Sequence, residues 1–210
     1  MIRPPARPRL FSFDIFGTVL DWRTGLERSL GRALSEAEFD AVVDRQGELE
    51  QSFAPYAEIV ARSLREVLGV AEGPAAAIGR EAGRWPLFPD SREGMQRLRK
   101  VAPCVAITNS DLAHGADVRL QLGEMDGWLC AEQLRLYKPD RRAWEAAAKA
   151  RGEPFGPGWW HVSAYADYDL GVARQLGLTC VFVERPHARP GPRDVVARDL
   201  LELAALVEAL

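Results

Sequence analysis

An α/β architecture, a Rossmann-like doubly wound parallel sheet with an inserted helical cap domain, is what this 210-residue sequence predicts. Three observations lead there. An apolar run beginning at Leu10 ends on Asp14, just before a turn that Gly17 permits, so a carboxylate stands at the end of a strand. Between Asp21 and Arg84 come four helical stretches with no strand among them. From Ser91 onward, helical and β-rich apolar stretches alternate regularly, as they do when parallel strands are joined by helical crossovers.

The first strand covers Leu10 to Asp14. Thr24 to Leu34 and Glu36 to about Phe53 read as helices. The second is opened by Ser35 with Glu38 three residues on, a capping box in which each side chain satisfies a backbone donor of the other residue. Pro55 starts a helix over Tyr56 to Leu68, and a short one follows Pro74. These segments form the expected cap domain, residues 21–84, closed by the two prolines of WPLFPD, Trp85 to Asp90. The core domain, residues 1–20 and 85–210, then runs helix Arg92 to Lys100, strand Cys104 to Thr108, helix Leu112 to Leu122 and strand Trp128 to Cys130. It continues with helix Arg142 to Ala150, strand Trp160 to Ser163, helix Leu170 to Leu176, strand Thr179 to Val183 and helix Val195 to Ala209. The Pro-rich stretch from Arg185 to Asp194 reads as a loop with solvated basic residues.

With 27 Lys and Arg against 30 Asp and Glu, the net charge of −3 gives no electrostatic case for nucleic acid or an acidic membrane as partner. An anion would need a local site. Cys104, Cys130 and Cys180 lie far apart in apolar contexts, without the spacing of a metal site or a disulfide framework, which suits core residues of a reduced, cytoplasmic protein. Met1 to Arg9 lacks the apolar stretch of a signal peptide, and no segment is long and apolar enough for a membrane span.

Four strand ends carry polar groups able to converge: Asp14 to Thr18, Thr108 to Ser110, Tyr137 to Asp140 and Ser163 to Asp169. Singly, each has an ordinary reading as a cap or surface residue. Together, in this order, they resemble the haloacid dehalogenase superfamily of hydrolases, whose strand-one aspartate, strand-two Ser/Thr, Lys-Pro and last acidic loop are matched by Asp14, Thr108, Lys138 and Asp169. The helical insert resembles that family's cap domain.

Most phosphatases of that superfamily carry a second aspartate two residues past the nucleophile, to protonate a departing alkoxide. This chain has Phe16. A departing halide needs no such proton, and a 2-haloacid monoanion needs less charge compensation than a phosphate dianion. The opening FDIFGTVLDW and the segment RQGELE, Arg45 to Glu50, resemble the L-2-haloacid dehalogenase branch, which implies hydrolysis of short 2-haloalkanoic acids through an aspartyl ester, with no cofactor. Carried over, the resemblance makes Asp14 the nucleophile, held by Thr18 and by Lys138, with Arg45 and Asn109 accepting the halide. Thr108 and Ser110, or N–H groups near them, would hold the substrate carboxylate. Backbone N–H groups near Ile15 and Phe16 would polarise the ester carbonyl, and Asp169 would orient water or Lys138.

The chain departs from the branch at Thr108, where the branch has serine, and at Trp144, where it has a tyrosine on the substrate. It also has Ala164 and Ala166 where the branch presents Ser and Asn to the hydrolytic water, a task left to Asp167 or Tyr165. The alternative is a Mg²⁺-dependent phosphatase or phosphonate hydrolase, with Asp14, the Phe16 carbonyl and Asp169 as ligands. A catalytically silent binding protein is a third reading, resting on the two alanines alone. Relatives often pair, so a homodimer is the expectation that resemblance carries.

Overall fold

The computed structural model describes residues 6–210; residues 1–5, assigned from sequence to the core, lie outside the described residues. At its centre is β1 (Leu10–Phe13), whose LFSF side chains are all buried. Burial on both faces is what a parallel strand covered by helices above and below requires. With β2 (Cys104–Thr108), β3 (Gly127–Cys130), β4 (Trp159–Ser163), β5 (Thr179–Val183) and β6 (Val195–Ala197) it forms a six-stranded sheet of order β3-β2-β1-β4-β5-β6, parallel throughout. β1 pairs with β2 on one side and β4 on the other, so the strand order reverses around it. Ligands of open parallel sheets bind at the carboxyl ends of the strands at such a switch point. Here those ends deliver Asp14, Thr108 and Ser163.

Four helices follow β1 as the sequence predicts: α1 (Trp22–Leu30), α2 (Glu36–Leu49), α3 (Tyr56–Leu68) and α4 (Glu72–Glu81). α1 ends sooner than expected, because Gly31 takes the left-handed conformation that closes a helix. α2 opens with the reciprocal Ser35–Glu38 capping box but stops at Leu49, short of Phe53. The sheet is covered by α5 (Ser91–Arg99), α6 (Leu112–Leu122), the one-turn α7 (Ala131–Leu134), α8 (Arg142–Arg151), α9 (Gly171–Gln175) and α10 (Leu200–Glu208).

Two expectations change. The helix expected from Leu170 opens earlier, as a π-type turn over Ala166–Leu170. The helix expected over Val195 to Ala209 is divided: β-branched Val195 and Val196 pair with β5, and Asp199 starts α10 by accepting the Glu202 N–H.

The helical insert is fastened to the sheet domain at several points. The Asp111 carboxylate, at the start of α6, accepts the first two N–H groups of α3, from Tyr56 and Ala57, each at 2.8 Å. Such a carboxylate also offsets the positive end of the helix dipole. The Tyr137 hydroxyl donates to the Ala54 carbonyl at 2.7 Å, and a His114 ring nitrogen lies 2.8 Å from the Gly79 carbonyl oxygen. Arg185, read from sequence as solvated, is buried instead. Its guanidinium makes a bidentate pair with Asp90 at 2.7 and 2.8 Å and donates from Nε to the Thr18 carbonyl, bracing the turn after β1. The three cysteines are buried and free. Among the described residues, no helix is long and apolar enough to cross a membrane.

Candidate active site

Asp14 leaves the sheet at the end of β1, its N–H still donating to the Val162 carbonyl of β4 at 3.0 Å. The chain then turns sharply at Gly17, whose φ of +84° belongs to the region that L side chains rarely adopt. A Cβ at this position would also lie 2.5 Å from the Tyr165 ring. The Ile15 carbonyl gathers the N–H groups of Thr18, Val19 and Leu20, whereas the N–H groups of Ile15 and Phe16 are taken by no acceptor among the described residues. Two backbone donors beside a carboxylate make a place for a developing oxyanion.

Asp14 is almost wholly buried and meets two partners. Thr18 Oγ1 donates to its Oδ2 at 2.7 Å, and Lys138 Nζ lies 3.0 Å from its Oδ1. Thr18 in turn accepts the Ala164 N–H at 2.9 Å. Lys138 Nζ also reaches Asp169 Oδ2 at 2.9 Å, so one ammonium serves two carboxylates. Burial raises the Asp14 carboxyl above its ordinary range, with Lys138 and Thr18 opposing the rise. Burial would raise Asp169 too, but Lys138 and His161 outweigh it and hold this carboxyl well below that range. For Lys138, burial works against the charge, and the two carboxylates more than restore it.

Beneath this cluster lies a second layer, built from residues that the sequence marks only as strand. His161 Nε2 sits 3.2 Å from Asp169 Oδ1, too poorly aligned for a good hydrogen bond, and neither atom has another partner among the described residues. On its far side His161 Nδ1 is 2.7 Å from Ser12 Oγ, which accepts the Trp159 indole N–H at 2.7 Å. Because that indole can only donate, the Ser12 hydrogen is free for Nδ1, and this network assigns the ring proton to Nε2, facing Asp169. No sequence signal marks this chain of residues except alternation along β1 and β4, which turns Ser12 and His161 toward each other in register.

Above the cluster opens a cavity of about 810 Å³. The sheet domain supplies Asp14, Phe16, Asn109, Tyr137 and Lys138, and the insert supplies Glu50, Phe53 and Tyr56. Tyr165, Asp167 and Tyr168 of the loop after β4 close one side with Arg189. Arg189 crosses to the insert and pairs with Asp44 at 2.7 Å. Arg135, another wall residue, lies over the Phe53 ring at 3.8 Å.

The expected site residues are only partly brought together. Asp14, Phe16, Asn109 and Lys138 reach the cavity, with Thr18 and Asp169 directly behind them. Asn109 is clamped: its amide nitrogen donates to Glu50 Oε2 at 2.9 Å and to the Lys138 carbonyl at 3.1 Å, and its oxygen accepts the Lys138 N–H. Both amide hydrogens are thereby spent, leaving none for a halide. Thr108 and Ser110 are buried, their hydroxyls without a partner among the described residues, and do not line the cavity. Ile15 contributes backbone only; its side chain is in the core.

Two placements are corrected. Arg45 does not face the cavity: it points along the outer face of α2, where Glu66 holds Nε at 2.6 Å and Glu48 holds Nη1 at 2.5 Å. Carboxylates one helical turn along and on the neighbouring α3 draw the guanidinium outward. Trp144 is fully buried on α8, edge-on to His161 at 5.3 Å, because its helix packs over the sheet and away from the strand ends. The insert's contribution to the wall is instead Glu50, which closes α2. Burial pushes its carboxyl up to about 8, against the Asn109 hydrogen bond and Lys138, and with Asp14 adding to the rise. Ala164 and Ala166 are fully buried, and Tyr165 and Asp167 are the residues of that stretch that reach the cavity.

Known proteins are similar to this chain in sequence and fold. The chain is 25% identical over 194 residues, 82% of its length and 81% of the relative's, to an (S)-2-haloacid dehalogenase of Burkholderia cepacia. The fold superposes on that of a solved L-2-haloacid dehalogenase with a TM-score of 0.79 at 27% identity, covering 97% of this chain and 100% of the other. It matches equally the L-2-haloacid dehalogenase of Xanthobacter autotrophicus solved with chloropropionic acid covalently bound, with a TM-score of 0.79, 18% identity, and coverage of 97% and 99%. A sequence model of the haloacid dehalogenase-like hydrolases matches residues 8–157, most of the chain and three of the four polar strand ends, those with Asp14, Thr108 and Lys138, and the chain therefore belongs to the haloacid dehalogenase-like hydrolases.

Proposed function

We propose that the protein hydrolyses 2-haloalkanoic acids, with Asp14 as the nucleophile. The observation that carries the reading is the pairing of a buried Asp14 with one fixed cation, Lys138, beside an aromatic wall that starts at Phe16. A carboxylate so held keeps one oxygen edge on the cavity and is not free to rotate away. Attack on carbon two would expel halide with inversion and leave an ester on Asp14. The free N–H groups of Ile15 and Phe16 would polarise that ester carbonyl, Asp167 on the cavity wall would orient the water, and the oxygen added to Asp14 would restore the carboxylate. That a relative from Xanthobacter autotrophicus was solved with chloropropionic acid covalently bound supports this reading.

A Mg²⁺ site between Asp14, the Phe16 carbonyl and Asp169 fits these residues poorly. Asp169 lies fully buried behind Lys138, with its oxygens facing Lys138 Nζ and the His161 ring.

The test is chloride release from L-2-chloropropionate. Wild-type protein turns over, Asp14→Asn loses activity by at least ~10⁴-fold, as loss of a covalent nucleophile does, and a single turnover in isotopically labelled water places the label in Asp14. Absence of any halide release from chloro- and bromo-acids, with protein that melts cooperatively, would overturn the substrate class.

A further inference from the structure

We propose that Glu50 is a catalytic acid of this site, bearing a proton in the resting enzyme and giving it to the leaving group, so that the site is equipped for carbon–fluorine cleavage. The inference rests on the dehalogenase reading and names the leaving group that the site favours.

The geometry starts from what stands opposite the nucleophile cluster. With Arg45 turned outward, Glu50 is the ionisable group that the insert places against Asn109, and Asn109 is itself joined to the backbone of Lys138. Asn109 donates to Glu50 Oε2, and Oε1 has no protein partner among the described residues. One oxygen is thus fixed and the other is left on a cavity wall.

Charge decides its protonation state. Sharing the cavity with Glu50 are Asp14 and Lys138 from the sheet domain and Tyr56, Tyr137 and Tyr168, of which Tyr56 and Tyr137 direct their hydroxyls to Gln46 and the Ala54 carbonyl. Asp14 and Asp169 share the single charge of Lys138, so the cluster carries a negative balance before any substrate enters. An ionised Glu50 would repel the substrate carboxylate and the departing halide alike. A protonated one offers an O–H donor to both, and its carboxyl is raised to about 8 by burial with Asp14 adding to the rise.

Fluoride is the most basic halide and the poorest leaving group, so it gains most from a proton, whereas bromide gains little. In the first half-reaction the Asp14 oxygen bonds to carbon two, the carbon–fluorine pair leaves with fluoride, and the Glu50 proton passes to it as hydrogen fluoride. In the second, water adds to the Asp14 carbonyl and the acyl–oxygen bond breaks. One of the water's protons ends on the product hydroxyl, and the other returns to Glu50.

The experiment compares fluoride release from 2-fluoropropionate with bromide release from 2-bromopropionate, for wild type, Glu50→Gln and Glu50→Asp, between pH 6 and 9.5. Expected for Glu50→Gln is a loss of about 10²-fold or more on the fluoro-acid, the usual worth of a positioned general acid, and under about tenfold on the bromo-acid. Glu50→Asp, which keeps an acid, restores part of the fluoro/bromo ratio. Wild-type fluoride release falls as pH rises through about 8, while bromide release does not. Equal losses on both acids in Glu50→Gln, or matching pH profiles in wild type, overturn the assignment of Glu50 and leave the dehalogenase reading intact. Wild type releasing neither halide overturns both. Should Glu50→Gln fail to fold, the wild-type profiles and Glu50→Asp still decide.

Discussion

The floor and the wall of this site are built on different principles. The floor, Asp14, Thr18, Lys138 and Asp169 over His161 and Ser12, hangs from the ends of buried parallel strands, with each side chain locked by at least one short polar contact. The wall comes from the end of α2 and the segment after it, where side chains choose among several partners: Glu50 takes Asn109 on the cavity side, while Arg45 takes Glu48 and Glu66 on the outer face of the same helix and stays out of the wall. A floor of this kind fixes where charge is held. A wall of this kind sets what may enter and leave, and can be re-aimed by a few carboxylates without altering the fold.

If that division holds, damage to the floor is larger than damage to the wall, and the largest effect belongs to Lys138. Lys138→Met leaves Asp14 and Asp169 buried without their shared cation, and removing one partner of a buried ionic group costs about 3–5 kcal/mol. We expect halide release to fall at least ~10³-fold, since Asp14, the proposed nucleophile, would take up a proton when uncompensated and lose its lone pair to it. Urea melts and steady-state rates on the same preparation check both halves. A variant within tenfold of wild type would show that the floor is not the centre of the chemistry.

A smaller effect tests the wall through stability. The unfolded chain loses the Glu50 proton near the ordinary value of 4.5, while the folded protein keeps it up to about 8. Between those values the unfolded state binds fewer protons, so Glu50 makes the native protein less stable as pH rises. Glu50→Gln has no such cost. Its stability relative to wild type should therefore climb from pH 4.5 to pH 8, by about 2 kcal/mol once the partial exposure of Glu50 to the cavity is allowed for. Parallel melts of the two proteins across that range measure it, and a flat difference would mean that Glu50 is solvated and ionised throughout.

The same contrast explains what the sequence could reveal. Strand ends with a carboxylate, a hydroxyl and a Lys-Pro announce themselves, because a short buried strand has one register and its last residue one place to go; Asp14, Lys138 and Asp169 converge as their order implies. His161 was illegible because its partner Ser12 is 149 residues away, joined to it only by the register of β1 with β4. Arg45 misled because resemblance gives a residue's position along α2 but not its rotamer, and the rotamer was decided by Glu66 on another helix. Glu50 stood within the same RQGELE segment and carried no mark of its own, since burial there depends on how the insert lies against Asn109. β6 was missed for a simpler reason: apolar residues of Val195 to Ala209 suit a helix, and only pairing with β5 shows otherwise.

The smallest expected effect is the most discriminating for the wall. Arg45 pairs with Glu48 and Glu66, carboxylates more exposed than itself, and such ion pairs contribute little to stability. Arg45→Ala should leave halide release within about threefold of wild type and the melting curve nearly unchanged, as for surface substitutions away from special features. The salt dependence of the KM should be unchanged too, because no charge would have left the cavity. A loss of about 10²-fold or more in kcat with KM preserved would have one physical meaning: the guanidinium abandons both carboxylates and swings inward once substrate is bound, exchanging two exposed ion pairs for one desolvated contact with the leaving halide. That exchange is favourable only if the cavity excludes water when α2 closes over it, so Glu48→Gln and Glu66→Gln, which release Arg45, would then raise kcat. With Arg45 idle they would leave it alone.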